Sequence, residues 1–274
     1  AQQMIENMLP YENMLEHILK SFLASLTETH TPLSVERKQL KRVALVVYSS
    51  NSSLCGGFNA NITKLMQQTV SHYREQGVSE ILVYPIGRKI AEQASKMGLQ
   101  LCGDFNHLAE KPNAHQCAEI ARELARKFEA GDIDKVELIY HHFKSAGSQI
   151  LTRRTFLPID LTTEVGRFND RDLSSNVVTA KAQEYLKNKK SEQTKKKEEA
   201  KPLNDNFLVE PDMATILNSL IPKLLNLMVY TGLLDSNASE HAARMVAMQT
   251  ATDNADELLR GLNLQYNKSR QQAI

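Results

Sequence analysis

The sequence has no tryptophan and only three cysteines, Cys55, Cys102 and Cys117. An odd, widely spaced set cannot form a disulfide framework and suits a reducing compartment. No Cys/His cluster has the spacing of a zinc site. An excess of either charge is also missing: 33 Lys+Arg against 32 Asp+Glu leave a formal net charge of +1. Such a balance gives no general attraction to nucleic acid or to an anionic membrane, and no nucleic-acid partner is expected. No apolar run is long enough to span a bilayer; the best, residues 220–234, is broken by Pro222, Lys223 and Asn226. The opening residues show no signal-peptide pattern and no initiator Met, and they start inside a helical pattern.

What is present is length and periodicity. The 274 residues, 42% hydrophobic, suffice for one core plus an extended element. Residues 213–274 read as one helix, about 90 Å long at 1.5 Å per residue. Its second half carries two rows at seven-residue spacing. Ala238, Met245, Thr252, Leu259 and Tyr266 form one; His241, Met248, Ala255, Leu262 and Ser269 form the other. Two such rows make a coiled-coil seam, and the small residues in it allow close approach. The polar residues between the rows, Glu240, Arg244, Asp253, Asp256, Glu257 and Arg260, are expected to face water or another partner. Residues 1–26 repeat the pattern, with Met4, Tyr11 and Ile18 in one row and Met8, Leu15 and Phe22 in the other. Pro10 and Pro222 should interrupt their helices, and Gly232 and Gly261 weaken the longer one by about 1 kcal/mol each. The two terminal helices are expected to pair; the alternative is two ordinary amphipathic helices packed on the domain between them.

That domain alternates strand and helix. Residues 42–49 form a continuous apolar run, hence a buried strand, followed by a helix over 58–76. A second strand is expected at 80–86, a short helix at 87–97, a third strand at 99–103, a helix at 114–130 and a strand at 135–143. Residues 148–158 should return antiparallel through the 144–147 turn. The pattern implies an α/β domain with a mostly parallel sheet and helices on its faces. Residues 160–206 differ in composition: Lys187, Lys189, Lys190 and Lys195 to Lys197 follow one another with few apolar residues between, so 166–206 reads as a flexible insertion. Order should resume at 206–210, with Asp212 as helix cap. The divisions are therefore 1–40, 41–165, 166–206 and 207–274.

Chemistry is sparse. The loop Ser49-Ser50-Asn51-Ser52-Ser53-Leu54-Cys55-Gly56-Gly57-Phe58-Asn59 stands where mononucleotide folds hold phosphate. It has no G-x-G-x-x-G and no Gly-Lys-Ser/Thr, and the second strand ends Tyr84-Pro85-Ile86 without an acid. Cys55 is read as a packed thiol, since nothing places His72 or His107 beside it as a base. His141 and His142 are strand neighbours pointing to opposite faces, unable to share a metal. No catalytic residue, cofactor or metal is expected. Three readings stand: a mechanical or scaffolding part, a Rossmann-fold nucleotide-binding enzyme, or a coiled-coil adaptor.

The stretch Ser239-Glu240-His241-Ala242-Ala243-Arg244-Met245-Val246-Ala247-Met248-Gln249-Thr250-Ala251-Thr252-Asp253-Asn254-Ala255, continued by Tyr266-Asn267-Lys268-Ser269-Arg270-Gln271, resembles the signature of the gamma subunits of rotary F-type ATP synthases. Leu54-Cys55-Gly56-Gly57-Phe58-Asn59, Pro10-Tyr11 and Phe207-Leu208-Val209-Glu210-Pro211 fall where that family has them. The resemblance covers nearly all the chain outside the lysine-rich insertion. It implies a Rossmann-like central domain flanked by terminal helices forming an antiparallel coiled coil. It implies a non-catalytic rotor of the bacterial type, peripheral on the cytoplasmic face of the inner membrane, turning inside a ring of alpha and beta subunits. Epsilon and a ring of c subunits are the implied partners below. Arg270 and Gln271 match positions that contact a beta subunit. The family ordinarily starts earlier and runs on later, so truncation at both ends is expected. Asn51-Ser52-Ser53 replaces the family's acidic-basic-Gly turn, and the insertion, longer than typical, has no cysteine for a thiol switch.

Overall fold

The structure is a computed structural model that describes Met14 and residues 31–145, 147–159 and 213–272. The apolar run at the start of the domain is strand β1 (Arg42–Tyr48), buried at every position but the first. Continuous burial requires neighbours on both edges and both faces. The sheet supplies the edges. Its order places β3 (Gln100–Leu101), β2 (Glu80–Ile86), β1, β4 (Lys135–Ser145) and β5 (Ser148–Leu157) side by side. β1 pairs in parallel with both β2 and β4, β2 pairs in parallel with β3, and β5 returns antiparallel to β4. The mostly parallel sheet and the closing hairpin agree with the sequence pattern. The third strand is shorter than expected. Leu99 turns into the core instead, and Gly103 leaves the strand path at φ 81°.

The faces follow from alternation. Val43, Leu45 and Val47 point to one face, against Ile62, Met66 and Val70 of α1 (Phe58–Glu75) and Ile90 and Ala94 of α2 (Arg88–Lys96). Ala44, Val46 and Tyr48 point to the other, against Cys117, Ile120, Leu124 and Phe128 of α3 (Ala114–Ala130). The turn from β2 into α2 depends on Gly87, whose φ of 113° suits glycine. A β-carbon there would overlap the Ser49 carbonyl oxygen and stand 2.6 Å from Ser49 Oγ. Burial keeps the Cys117 thiol protonated, pushing its pKa up to about 12.

The last element, α4 (Met213–Gln272), is a 60-residue helix that continues through Pro222. A proline removes one backbone bond, but Ile221, Leu224 and Leu225 around it are at most 4% exposed, and that burial holds the helix together. With Met228, Val229 and Leu233 they complete the second face of the sheet beside α3. Each such side chain contributes roughly 1.5–3 kcal/mol. Among the described residues no element covers α4 beyond Ala247, and residues 248–272 are exposed throughout. This free part extends about 35–40 Å. Among the described residues no helix is long and apolar enough to cross a membrane. The N-terminal pattern, the lysine-rich stretch, residues 206–210 and the Asp212 cap lie outside the described residues.

Candidate functional site

In an open α/β sheet, ligands bind beyond the carboxyl ends of the strands, where the strand order reverses. Here that place is between β1 and β4. The loop after β1 is held by its own polar groups. Ser50 Oγ donates to the Ser52 carbonyl at 2.6 Å, and the Ser50 N–H donates to Asn59 Oδ1 at 3.2 Å. Asn59 Nδ2 donates to the Ser52 carbonyl at 3.0 Å and to Cys55 Sγ at 3.1 Å. Cys55 is 1% exposed, the packed thiol the sequence suggested.

α4 passes directly over this loop. A β-carbon on Gly56 would stand 3.9 Å from the Ala243 carbonyl oxygen and the Ala247 β-carbon. Arg244 donates to the Ser53 carbonyl and to Ser52 Oγ, both at 2.7 Å, and pairs with Glu240 one turn back. The expectation that Glu240 and Arg244 face water or another partner is therefore corrected. Glu240 is 9% exposed and Arg244 reaches the β1 loop of its own chain, whereas Asp253, Asp256, Glu257 and Arg260 are exposed as expected. A cleft of about 210 Å³ remains among Gly57, Phe58, Asn61, His141, Gln149 and Val246. Small-molecule sites measure about 300–1,000 Å³.

Behind the loop the helix is fixed to the strands by hydrogen bonds. Tyr48 of β1 donates through its hydroxyl to the Val229 carbonyl at 3.0 Å. Gly232 lies against the Tyr48 ring, where a β-carbon would meet Cζ and Oη at 3.4 Å; the glycine that weakens the helix lets the two elements approach. Asp235, 1% exposed, accepts from the Phe143 N–H at 2.8 Å and lies 2.6 Å from His142 Nδ1. Ser239, fully buried, donates to the His141 carbonyl at 3.2 Å.

The two histidines do point to opposite faces. His142 meets Asp235 of α4, while His141 stacks on Phe58 of α1 with ring centroids 4.3 Å apart. His141 is 2% exposed, and neither ring nitrogen has a hydrogen-bond partner. Burial pushes its pKa down to about 3, so the ring is neutral. Among the described residues no group of His, Cys, Asp and Glu has the arrangement of a metal site.

Of the coiled-coil row, Ala238 is buried with Leu234 against Phe143 of β4. His241, Met248, Thr252, Ala255, Leu259, Leu262 and Tyr266 are exposed, and so is Met245, at 59%. Arg270 and Gln271 stand exposed in the final turn of α4. Met4, Met8, Tyr11, Leu15, Ile18 and Phe22 lie outside the described residues. Sequence reasoning missed Tyr48, Asp235 and Ser239. The one available signal was Asp235, a lone acid directly following Leu233 and Leu234 in an apolar stretch.

Comparison with known proteins gives the same outline. The family model described as ATP synthase matches residues 1–274. A curated relative from Phocaeicola vulgatus, "ATP synthase gamma chain", is 47% identical over all of this chain and 84% of its own length. Gamma chains from Bacteroides fragilis and Xanthomonas campestris are 46% and 30% identical, covering all of this chain and 84% and 83% of their own lengths. Among solved structures, a chain from the central stalk and c-ring of the Tetrahymena thermophila mitochondrial ATP synthase shares the fold. Its TM-score is 0.51 at 24% identity, covering 92% of this chain and 85% of that one. With a full-length family match and relatives this similar, the chain belongs to the family of ATP synthase gamma chains.

Proposed function

We propose that this chain is the central rotor shaft of a proton-translocating ATP synthase. It would couple ion flow through a membrane ring to ATP synthesis or hydrolysis in catalytic beta subunits. The observation that carries the reading is the division of α4: its first half is built into the α/β domain, and its second half projects beyond it with exposed Leu259, Leu262 and Tyr266. A single stiff element then links a foot to a distant binding surface. The reading assigns no catalysis to this subunit. The ligand crevice of the sheet is crossed by α4, and the shaft acts by state selection, each face having a different interaction free energy with each beta conformation.

On this reading the partners are alpha and beta subunits around the projecting helix, with epsilon and the c ring below. The complex lies on the cytoplasmic face of a bacterial inner membrane. The rows Met4, Met8, Tyr11, Leu15, Ile18 and Phe22, and Met245 to Tyr266, form the coiled-coil seam, and Arg270 and Gln271 meet a beta subunit. The lysine-rich stretch 166–206 is an insertion between the domain of 41–165 and the C-terminal helix of 207–274.

The test is a purification. The full-length gene product, tagged on its central domain, is extracted gently from membranes. Recovery with alpha, beta, epsilon and c subunits and with ATPase activity is the expected result; recovery alone and inactive overturns the proposal.

A further inference from the structure

We infer that Asp235 and Arg244 are positioning residues that lock α4 against rolling on the sheet, so that the foot and the shaft turn as one body. The inference rests on the rotor reading and adds to it where load crosses between the two parts. The apolar stripe of α4 holds the helix to the sheet, but apolar contact is non-directional and resists sliding or rolling weakly. Hydrogen bonds are directional and fix a register. Among the described residues, polar bonds from α4 to the strands and loop run from Val229 to Arg244, up to where the helix leaves the domain.

Their placement has mechanical meaning. Asp235 and Arg244 are nine residues apart, which at about 100° per residue puts them on opposite flanks of the helix and about 14 Å apart along it. Asp235 is tied to β4 through the Phe143 N–H at 2.8 Å and to His142 at 2.6 Å. Arg244 is tied to the β1 loop by two bonds of 2.7 Å. Rolling in one direction stretches the first tie, and rolling in the other stretches the second. Ser239, between them, bonds to the His141 carbonyl and holds the axis close to β4. β1 and β4 are hydrogen-bonded neighbours, so the two ties end on one rigid body. Glu240 holds the Arg244 guanidinium in place.

The experiment uses the whole ATP synthase, reconstituted in vesicles, with the gamma chain carrying Asp235→Ala, Arg244→Ala or both. ATP hydrolysis and ATP-driven proton pumping are measured on the same preparation, and rotation is followed under viscous load. The expected result is hydrolysis within twofold of the unsubstituted complex, with pumping per ATP and stall load several-fold lower, most in the double variant. Leu224→Ala, which loosens the apolar stripe without touching either tie, should lower assembly yet leave pumping per ATP normal. Unchanged pumping per ATP in the double variant overturns the inference, as does a fall in hydrolysis and pumping in equal proportion. Should the alanine variants fail to assemble, Asp235→Asn and Arg244→Lys carry the same comparison with smaller effects. If the unsubstituted chain does not join the complex, the rotor reading falls first and this inference with it.

Discussion

His141 gives the sharpest quantitative prediction. Its ring is buried against Phe58, neither nitrogen is hydrogen-bonded, and its pKa falls from the usual 6.5 to about 3. At pH 5 the unfolded chain binds a proton here and the folded chain does not. The associated stability is thus fully present above pH 6.5 and is lost as the pH falls toward 3. Linkage puts the loss at about 2 kcal/mol at pH 5 and about 3 kcal/mol at pH 4. The comparison is with His141→Phe, which keeps a ring in the stack and removes the titration. Urea unfolding followed by circular dichroism at pH 7.5 and pH 5 isolates the effect, because every other ionisable group is common to the two proteins. The unsubstituted chain should lose about 2 kcal/mol more than the variant between the two pH values. A direct titration of the His141 imidazole by NMR should show it neutral down to about pH 4. Parallel stability profiles, or an imidazole titrating near its usual value, would refute the argument.

Three further outcomes follow from other sites. Gly87→Ala combines a φ of 113° with overlap onto Ser49, and should cost at least about 3 kcal/mol in denaturant unfolding; a cost below 1 kcal/mol would mean the turn relaxes. Glu137, 3% exposed, is held by Arg153 through bonds of 2.6 and 3.1 Å. Arg153→Ala leaves that buried carboxylate to Lys135 at 3.6 Å and the Tyr73 hydroxyl, without its paired guanidinium, and a loss of about 3 kcal/mol is expected, partly recovered by Arg153→Lys. Met245→Asp and Leu262→Asp, in the proposed seam, would each bury a charge in the coiled coil and should lower stability by several kcal/mol; tolerance of both without loss of melting temperature would sink the coiled-coil pairing.

The sheet was legible because β1 and β2 carry continuous apolar runs bounded by polar turns, a pattern that parallel strands covered on both faces require. The seat of the long helix was not legible, for a physical reason. A helical period shows which side chains are buried and not what buries them. The row beginning at Ala238 reads as a seam for a partner helix, and Ala238 and Ala242 are indeed buried, but Ala238 packs against Phe143 of β4. Likewise Glu240 and Arg244, four apart, look like any solvated helix pair. Their different environment comes from Ser52 and Ser53, more than 190 residues away in sequence. Local pattern carries no information about that approach. What the sequence does encode is the closeness: Gly56 in the loop faces Ala243 and Ala247 on the helix, small residues on both sides. Past Ala247 the large apolar residues Met248, Leu259 and Leu262 follow on an exposed surface. One helix thus carries apolar side chains first onto the sheet and then onto an exposed surface. The change occurs where side chains are small enough for backbone to meet backbone.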